Sequence, residues 1–407
     1  MNKSRYRLLE LAQSGIESVH GGSLTGRAAS QFRPNGPVHV AAVGKAAAAM
    51  ASGAEEILGD DIQRALLITA KGYDDAPESQ RFERLYGGHP VPSAESLIAG
   101  ARLLRWVKET PRSAHLLFLI SGGASSMVEV AAAGIEVADL QRANHWLLAS
   151  GMSIGGINAV RRRMSRIKGG KLLAYLPPVS TEVWLLSDVA GDDPAVIGSG
   201  LLFPSPASAL PDVEYPEWLR QLLFAETSDS DVLQRHAPVP PHRILGTLAD
   251  ACEAVARRAR ELQLPVRLNV TELEGDAEAS GCRLGDYLLA AAPGMHIWGG
   301  ETTVKLPEQS GVGGRNQHLA LAAAVRIAGR DDVQLLALAS DGRDGPGEDA
   351  GALVDGGTVA RGTLHGFDAG ECLRSADSGR FLEASGDLIS TGPTGTNVRD
   401  LIIGWKT

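Results

Sequence analysis

The sequence has little cysteine. Cys252, Cys282 and Cys372 are the only three in 407 residues, and they are far apart with no Cys-x-x-Cys spacing. That excludes a disulfide framework and a thiolate zinc site as organising devices and fits a reducing compartment. Long apolar runs are also missing. A stretch such as Leu116–Ile120 is far shorter than a membrane span. The opening MNKSRYRLLELAQSGIESV reads as an amphipathic helix, because it lacks the unbroken apolar core of a signal peptide. Basic excess is absent: 39 Lys and Arg against 48 Asp and Glu give a formal charge of −9, which argues against a protein that coats nucleic acid. No GxxxxGK[ST] occurs, so a P-loop is excluded, and no GxSxG nucleophile elbow is present. The ten histidines show no HExxH or HxH spacing, so zinc is not indicated; His89, in GGHPVP, is the one to watch. A soluble cytoplasmic protein is expected, with no nucleic-acid or membrane partner.

What the chain does have is glycine, 48 residues, many at the ends of apolar runs beside Ser, Thr, Asp and Asn. That placement marks tight turns and close approach of backbone to a ligand. Val38–Val43, Ala65–Thr69, Leu116–Ile120 and Val183–Leu186 read as buried strands. Ala46–Leu58 and Ala94–Val107 read as helices between them, an alternation that implies parallel βαβ units. A second set follows, with a helix over Thr247–Leu262, runs at Val266–Val270, Met295–Trp298, Val304–Leu306 and Leu335–Ala339, and a short one at Leu388–Ser390. GGETT between two of these runs predicts a hairpin and a mixed sheet. The Pro-rich stretch Pro204–His242, with a helix at Pro216–Phe224, places the domain boundary, giving domains over 1–235 and 236–407.

Three strand ends share one design: LLFLISGGASS, VWLLSDVAGDD and LLALASDGRDG. Ligands of open α/β sheets bind outside the carboxyl ends of the strands, where glycine lets N–H groups converge on anions and carboxylates hold Mg²⁺ or take a proton. Lys45 follows Val38–Gly44 at the start of a helix, where the dipole disfavours a cation, and reads as a counter-charge for phosphate or carboxylate. In IGGINAVRRRMSRIK, Ile157, Val160, Met164 and Ile167 share a buried face, and Asn158, Arg161, Ser165 and Lys168 the face beside it. Arg162 and Arg163 read as solvated. GGETT, GVGGRNQ and TGPTGTN are the densest signals. The last, with Thr394, Gly395, Thr396 and Asn397, is a donor-rich loop for oxyanions. Arg315 follows two glycines at a helix start, so its guanidinium could grip a phosphate bidentately.

These pieces, in this order, resemble the glycerate 2-kinase family, often mislabelled as hydroxypyruvate reductases. The match runs from about Val43 to the C-terminus: VGKAA, GGHPVP, LISGGASS, SGMSIGGINAVRRRMSRIKGGKL, LLSDVAGDDP, GGETTV, GGRNQ, SDGRDGPGEDAGA and TGPTGTNVRDL. The resemblance implies two α/β domains: a mostly parallel, Rossmann-like, three-layer first domain and a smaller mixed-sheet second one, with the active site in the cleft. It implies Mg²⁺-dependent transfer of the ATP γ-phosphoryl to the 2-hydroxyl of D-glycerate or a related short hydroxy acid. A homodimer is left open.

Lys45, Asp188, Glu301, Arg315, Asp341 and Asn397 match the family's functional positions. Lys45, Asp188 and Arg315 are the expected catalytic set. Ser121, Gly122, Gly123, Ser125, Arg161 and Lys168 are expected to bind the acid. Glu301, Thr302, Asp341 and the Thr394–Asn397 run are expected to hold the nucleotide. Asp188 and Asp341 are both candidates for Mg²⁺ or for the hydroxyl proton, with Asp188 favoured for the proton. Departures from the family pattern cluster in the first domain: Ser93, Ala124, Gly156, Ala190 and Gly200–Leu202, with His318 in the second. They bear on substrate identity more than on fold. An oxidoreductase would need a dinucleotide fingerprint, and GVGGRN has the wrong spacing for one. A non-catalytic ligand-binding relative is the other alternative.

Overall fold

The computed structural model describes residues 3–74, 79, 81–152, 154–205, 210–224 and 238–407. They divide into two compact units, Gly21–Leu245 and Met1–His20 together with Gly246–Thr407.

The first unit carries strands β1 (Val38–Val43), β2 (Ile62–Thr69), β3 (Phe82–Tyr86), β4 (His115–Ile120), β5 (Thr181–Leu186) and β6 (His242–Gly246). They lie in the order β3-β2-β1-β4-β5-β6, the Rossmann-type arrangement, and β3, β2, β1, β4 and β5 pair in parallel. Every residue of β1 and β4 is buried. The pleat sends Val38, Val40 and Ala42 to one face, under the helix Ala47–Leu58. It sends Ala41 and Val43 to the other, where Leu103, Trp106 and Val107 of the helix Ala94–Lys108 pack. Each fully buried aliphatic side chain contributes about 1.5–3 kcal/mol, so covering both faces makes this sheet the core of the unit. A third cluster joins the helices Val137–Ala149 and Ile154–Arg163 to Leu219 and Leu223 of the helix Glu217–Phe224.

The second unit is built on β7 (Val266–Leu268), β8 (Leu273–Asp276), β9 (Gly294–Thr303), β10 (Val333–Ala339), β11 (Gly351–Asp355), β12 (Leu388–Ile389) and β13 (Asp400–Lys406). The path is β12-β11-β10-β13-β9-β7, with β8 also on β9. β13 runs antiparallel to both β10 and β9, whereas β7 and β8 pair in parallel with β9, so the sheet is mixed as expected. Val333, Leu335 and Ala337 face the helices Ala277–Ala290 and Arg315–Arg326. Leu336 and Leu338 face the helices Lys3–Ser18 and Leu248–Glu261.

The division into compact units falls after Leu245, whereas the sequence pattern places a boundary at 235/236, and the N-terminal segment up to His20 clusters with the second unit. The reason is packing: Leu8, Leu11 and Ala12 form one apolar face with Leu248, Cys252 and Val255, and Arg5 pairs with Asp355 and Asp387 at 2.9 Å each. Residues 206–209 and 225–237 of the expected boundary stretch lie outside the described residues. Finally, GGETT is no hairpin turn. It runs inside the single strand β9, and Val304–Leu306 is not a strand. Gly300 is there because a Cβ would sit 2.2 Å from the Leu273 carbonyl of β8.

Candidate functional site

In the first unit the chain reverses its direction of winding between β1 and β4, and the loops leaving these strands lie side by side at the sheet's carboxyl edge. The backbone laces them together. Lys45 N–H donates to Gly122 O at 2.9 Å, Ala46 N–H to Ser121 Oγ at 3.0 Å, and Thr69 Oγ1 to Gly44 O at 3.0 Å. Gly123 follows with φ +83°, and a Cβ there would meet Lys45 Cγ at 3.1 Å and His89 Cδ2 at 3.2 Å. Glycine at 123 therefore lets the lysine stem and the imidazole close over the loop. The Lys45 ammonium stands 5.4 Å from the Tyr73 ring centre. Asp188, half-buried, follows β5 on the same edge.

Beside this loop is a cavity of about 260 Å³. Two helices supply much of its wall. Leu140, Ala143, Asn144 and Leu147 recur at helical spacing on Val137–Ala149, and Arg161 comes from Ile154–Arg163, with Met164 and Lys168 just beyond its end. His89, Gly123, Ser125 and Ser126 complete the polar side. Arg161 Nε donates to Asn144 Oδ1 at 2.9 Å. Among the described residues Arg161 has no carboxylate partner, and burial pushes its guanidinium below the usual arginine range. A half-buried cation with a neutral partner suits an anion.

Lys168 differs. It is 2% exposed and its ammonium donates to Glu129 Oε2. Glu129, 1% exposed, also accepts from Ser165 Oγ at 2.6 Å and from Val130 N–H at 2.9 Å. The charge of Lys168 is thus neutralised within the cavity wall.

In the second unit the register brings Gly300 of β9 and Ala339 of β10 level with Asp400 of β13. The glycine-rich loops converge at that edge. Arg315, the first residue of its helix, donates Nε to Asp400 Oδ2 at 2.5 Å and Nη2 to Asp400 Oδ1 at 2.8 Å, and its Nη1 lies 3.2 Å from Glu301 Oε1. Burial opposes the charge of Arg315, but Asp400 outweighs it and holds the guanidinium protonated more firmly than usual. Asp344 accepts from Asn316 N–H at 3.0 Å and Gln317 N–H at 2.8 Å, pinning the start of the same helix. Full burial raises its carboxyl to about 7. A Cβ on Gly342, φ +87°, would lie 2.0 Å from Gly392 O, so the SDG and TGPTG turns meet backbone to backbone. Thr394 Oγ1 donates to Ser340 O and Val398 N–H to Ser340 Oγ at 2.8 Å. Thr396 is buried, and among the described residues its hydroxyl has no partner. Asp341 accepts from Arg343 N–H at 3.1 Å after β10, Thr302 and Asn397 are buried, and Glu301 is exposed.

The structure therefore gathers Gly123, Ser125, Arg161 and Lys168 around one cavity, and the GGETT end of β9 with the GVGGRNQ, SDGRDG and TGPTGTN loops at one edge of the second sheet. Some expected roles change. Ser121 and Gly122 do not line the cavity; they hold the turn at Lys45. Lys168 is committed to Glu129. The edge of Arg315 expected to grip phosphate is closed by Asp400. Lys45 precedes the helix, which begins at Ala47. Sequence reasoning did not single out Asn144, Glu129 or Asp400. Asn144 had a signal, since it shares the spacing of Leu140 and Leu147.

Residues 7–214 match a family described as a domain of unknown function (DUF4147), and residues 294–400 match the MOFRL family. The chain is 33% identical to a D-glycerate 2-kinase of Thermotoga maritima, over 97% of both chains. It is also 33% identical to a glycerate 2-kinase of Pyrococcus horikoshii, over 92% of this chain and 88% of that one. The solved structure of a glycerate kinase from Thermotoga maritima superposes with a TM-score of 0.84 at 32% identity, covering 100% of both chains.

Proposed function

The chain belongs to the glycerate 2-kinase family, and on that premise we propose that it transfers the γ-phosphoryl group of ATP to the 2-hydroxyl of D-glycerate, giving 2-phosphoglycerate and ADP. The observation that carries the reading is the cavity at the β4 loop, where half-buried Arg161 has Asn144 but, among the described residues, no carboxylate hydrogen-bonded to it. A small hydroxy acid supplies that carboxylate. Ser125 and the Gly123 turn border the same space, and Lys45 passes over the turn, placed to neutralise the transferring phosphoryl group.

In the transfer, the acid's C2 oxygen forms a bond to the γ-phosphorus. The bond from that phosphorus to the β–γ bridging oxygen breaks, and its electrons leave with ADP. The hydroxyl proton passes to a carboxylate, for which Asp188 at the end of β5 is the proposed acceptor. The second unit contributes the nucleotide-holding loops: Glu301 and Thr302 on β9, Asp341 after β10, and Thr394, Gly395, Thr396 and Asn397. The unpartnered hydroxyl of Thr396 suits a phosphate oxygen. Arg315 is held by Asp400, and its Nη1 faces Glu301, so the guanidinium and Glu301 together border the proposed nucleotide site.

Among the described residues no three His, Cys, Asp or Glu side chains group as a metal cage. Nucleotide-bound Mg²⁺ needs none, because it keeps waters and phosphate oxygens and takes one or two carboxylates. Asp188 and Asp341 have the required hard oxygen donors, and bound Mg²⁺ would offset phosphate charge.

No described helix is long and apolar enough to cross a membrane. The reading carries with it a cytoplasmic location, and sedimentation velocity decides whether the chain works as a homodimer. The test of the activity is ADP release from Mg-ATP with D-glycerate, with phosphorus NMR to place the phosphate on O2. NAD(P)H consumption with hydroxypyruvate and no ADP release would replace the kinase with an oxidoreductase.

A further inference from the structure

Resting on the kinase reading, we infer that the cavity of the first unit accepts 2-hydroxy acids that extend beyond glycerate by an apolar substituent, and that the Leu140–Ala143–Leu147 face reads that substituent. The argument starts from size. The cavity encloses about 260 Å³, room for on the order of twenty water-sized atoms. A three-carbon acid fills only a fraction of it.

The second point is the apolar share of the lining. Beside the polar groups of Arg161, Asn144 and Ser125, the cavity is bordered by Leu140, Leu147 and Met164. These three side chains are at most 4% exposed and belong to the cluster that holds the local helices together, so the apolar wall is a fixed part of the fold. Glycerate has nothing to put against such a wall. Its 3-hydroxyl would lose water there without gaining a partner, which is unfavourable. An alkyl group in the same place removes apolar surface from water on both sides. Ala143 sits between the two leucines on the helix face, 2% exposed, and its small side chain leaves the space between them open.

The chemistry is unchanged. The C2 oxygen of the longer acid forms the bond to the γ-phosphorus, ADP leaves, and the hydroxyl proton goes to the same carboxylate. Only the group on the C3 side differs. Each methylene buried against the wall is expected to raise kcat/KM by up to about fourfold.

The test compares D-glycerate, D-lactate, D-2-hydroxybutyrate and D-2-hydroxyisocaproate as acceptors with Mg-ATP, following ADP release by the intact protein. Two variants accompany it. Ala143→Leu narrows the apolar side, and Leu147→Ala widens it, each checked for native melting. The expected result is measurable turnover of the longer acids. The ratio of kcat/KM for 2-hydroxyisocaproate over glycerate falls at least tenfold in Ala143→Leu and rises in Leu147→Ala. Turnover of glycerate alone, or a ratio that neither folded variant moves, overturns the inference and leaves the kinase intact. No ADP release with any acid, glycerate included, overturns the kinase reading itself.

Discussion

Arg161 is joined to Asn144 by a 2.9 Å hydrogen bond from Nε, so a helix that lines the cavity holds the guanidinium by a neutral group. Asn144 orients the cation without discharging it. Arg161→Gln is therefore expected to raise KM for the hydroxy acid tenfold or more, since a charge-assisted hydrogen bond is worth about 1.5–3 kcal/mol. KM for ATP should stay near the parent value. Initial-rate measurements with each ligand varied in turn check this, and a shift confined to the ATP term would remove Arg161 from the acid site.

The Lys168–Glu129 pair makes the opposite case. Both side chains are at most 3% exposed, so Glu129→Gln leaves a buried ammonium without its counter-charge. A loss of about 3–5 kcal/mol is expected. Replacing both, as Lys168→Met with Glu129→Leu, should recover a large part of it. Denaturant unfolding of the three proteins measures the difference, and a single variant as stable as the parent would refute the assignment.

Asp400 is a positioning residue for Arg315. Asp400→Asn removes the charge that closes the guanidinium edge and should weaken nucleotide binding roughly tenfold or more. Binding of ATP measured by calorimetry, with D-glycerate KM as the control, separates this from a general loss of fold.

Gly342→Ala combines a left-handed φ with a 2.0 Å approach to Gly392 O. A cost of at least about 1 kcal/mol is expected from strain alone, together with a fall in nucleotide affinity as the two turns separate. Melting and ATP titration of the same variant test both parts.

His39 and His115, on β1 and β4, are buried, and burial lowers both imidazoles below their ordinary value; Arg64 adds to this at His39, while Glu182 opposes it at His115. The folded state holds them neutral, and the unfolded chain takes up their protons first. Their contribution to stability is complete above about pH 6.5 and is lost as pH falls from there toward the folded values. Tm should therefore drop as pH is lowered from 7.5 to 5.5, with a shallower slope in His115→Leu. Equal slopes would show that this imidazole takes up its proton equally in the folded and unfolded states.

The parallel sheet was legible because continuous apolar runs such as HLLFLI admit little else when helices alternate with them. β9 was misread because a glycine pair ordinarily signals a turn. Here a Cβ on Gly299 would lie 2.7 Å from Leu248, and Gly300 is crowded by Leu273, neighbours that only the tertiary fold supplies. β13 went unseen for a related reason. Asp400–Lys406 is a short run with a glycine at 404, and its place between β9 and β10 depends on strands more than sixty residues away. In the site, residue types that suggest chemistry by themselves were identified, namely Arg161, Lys168 and Arg315. Their partners Asn144, Glu129 and Asp400 were not, because pairing is decided by packing and not by spacing along the chain.

The helix Lys3–Ser18 has its apolar face on residues made after Gly246. At about 5–20 residues per second, the ribosome keeps Leu8 and Leu11 waiting on the order of ten seconds or more, while the first unit can already assemble. Birth order and assembly order thus differ for this helix, and a nascent-chain chaperone would find a long-lived client segment in Lys3–Ser18.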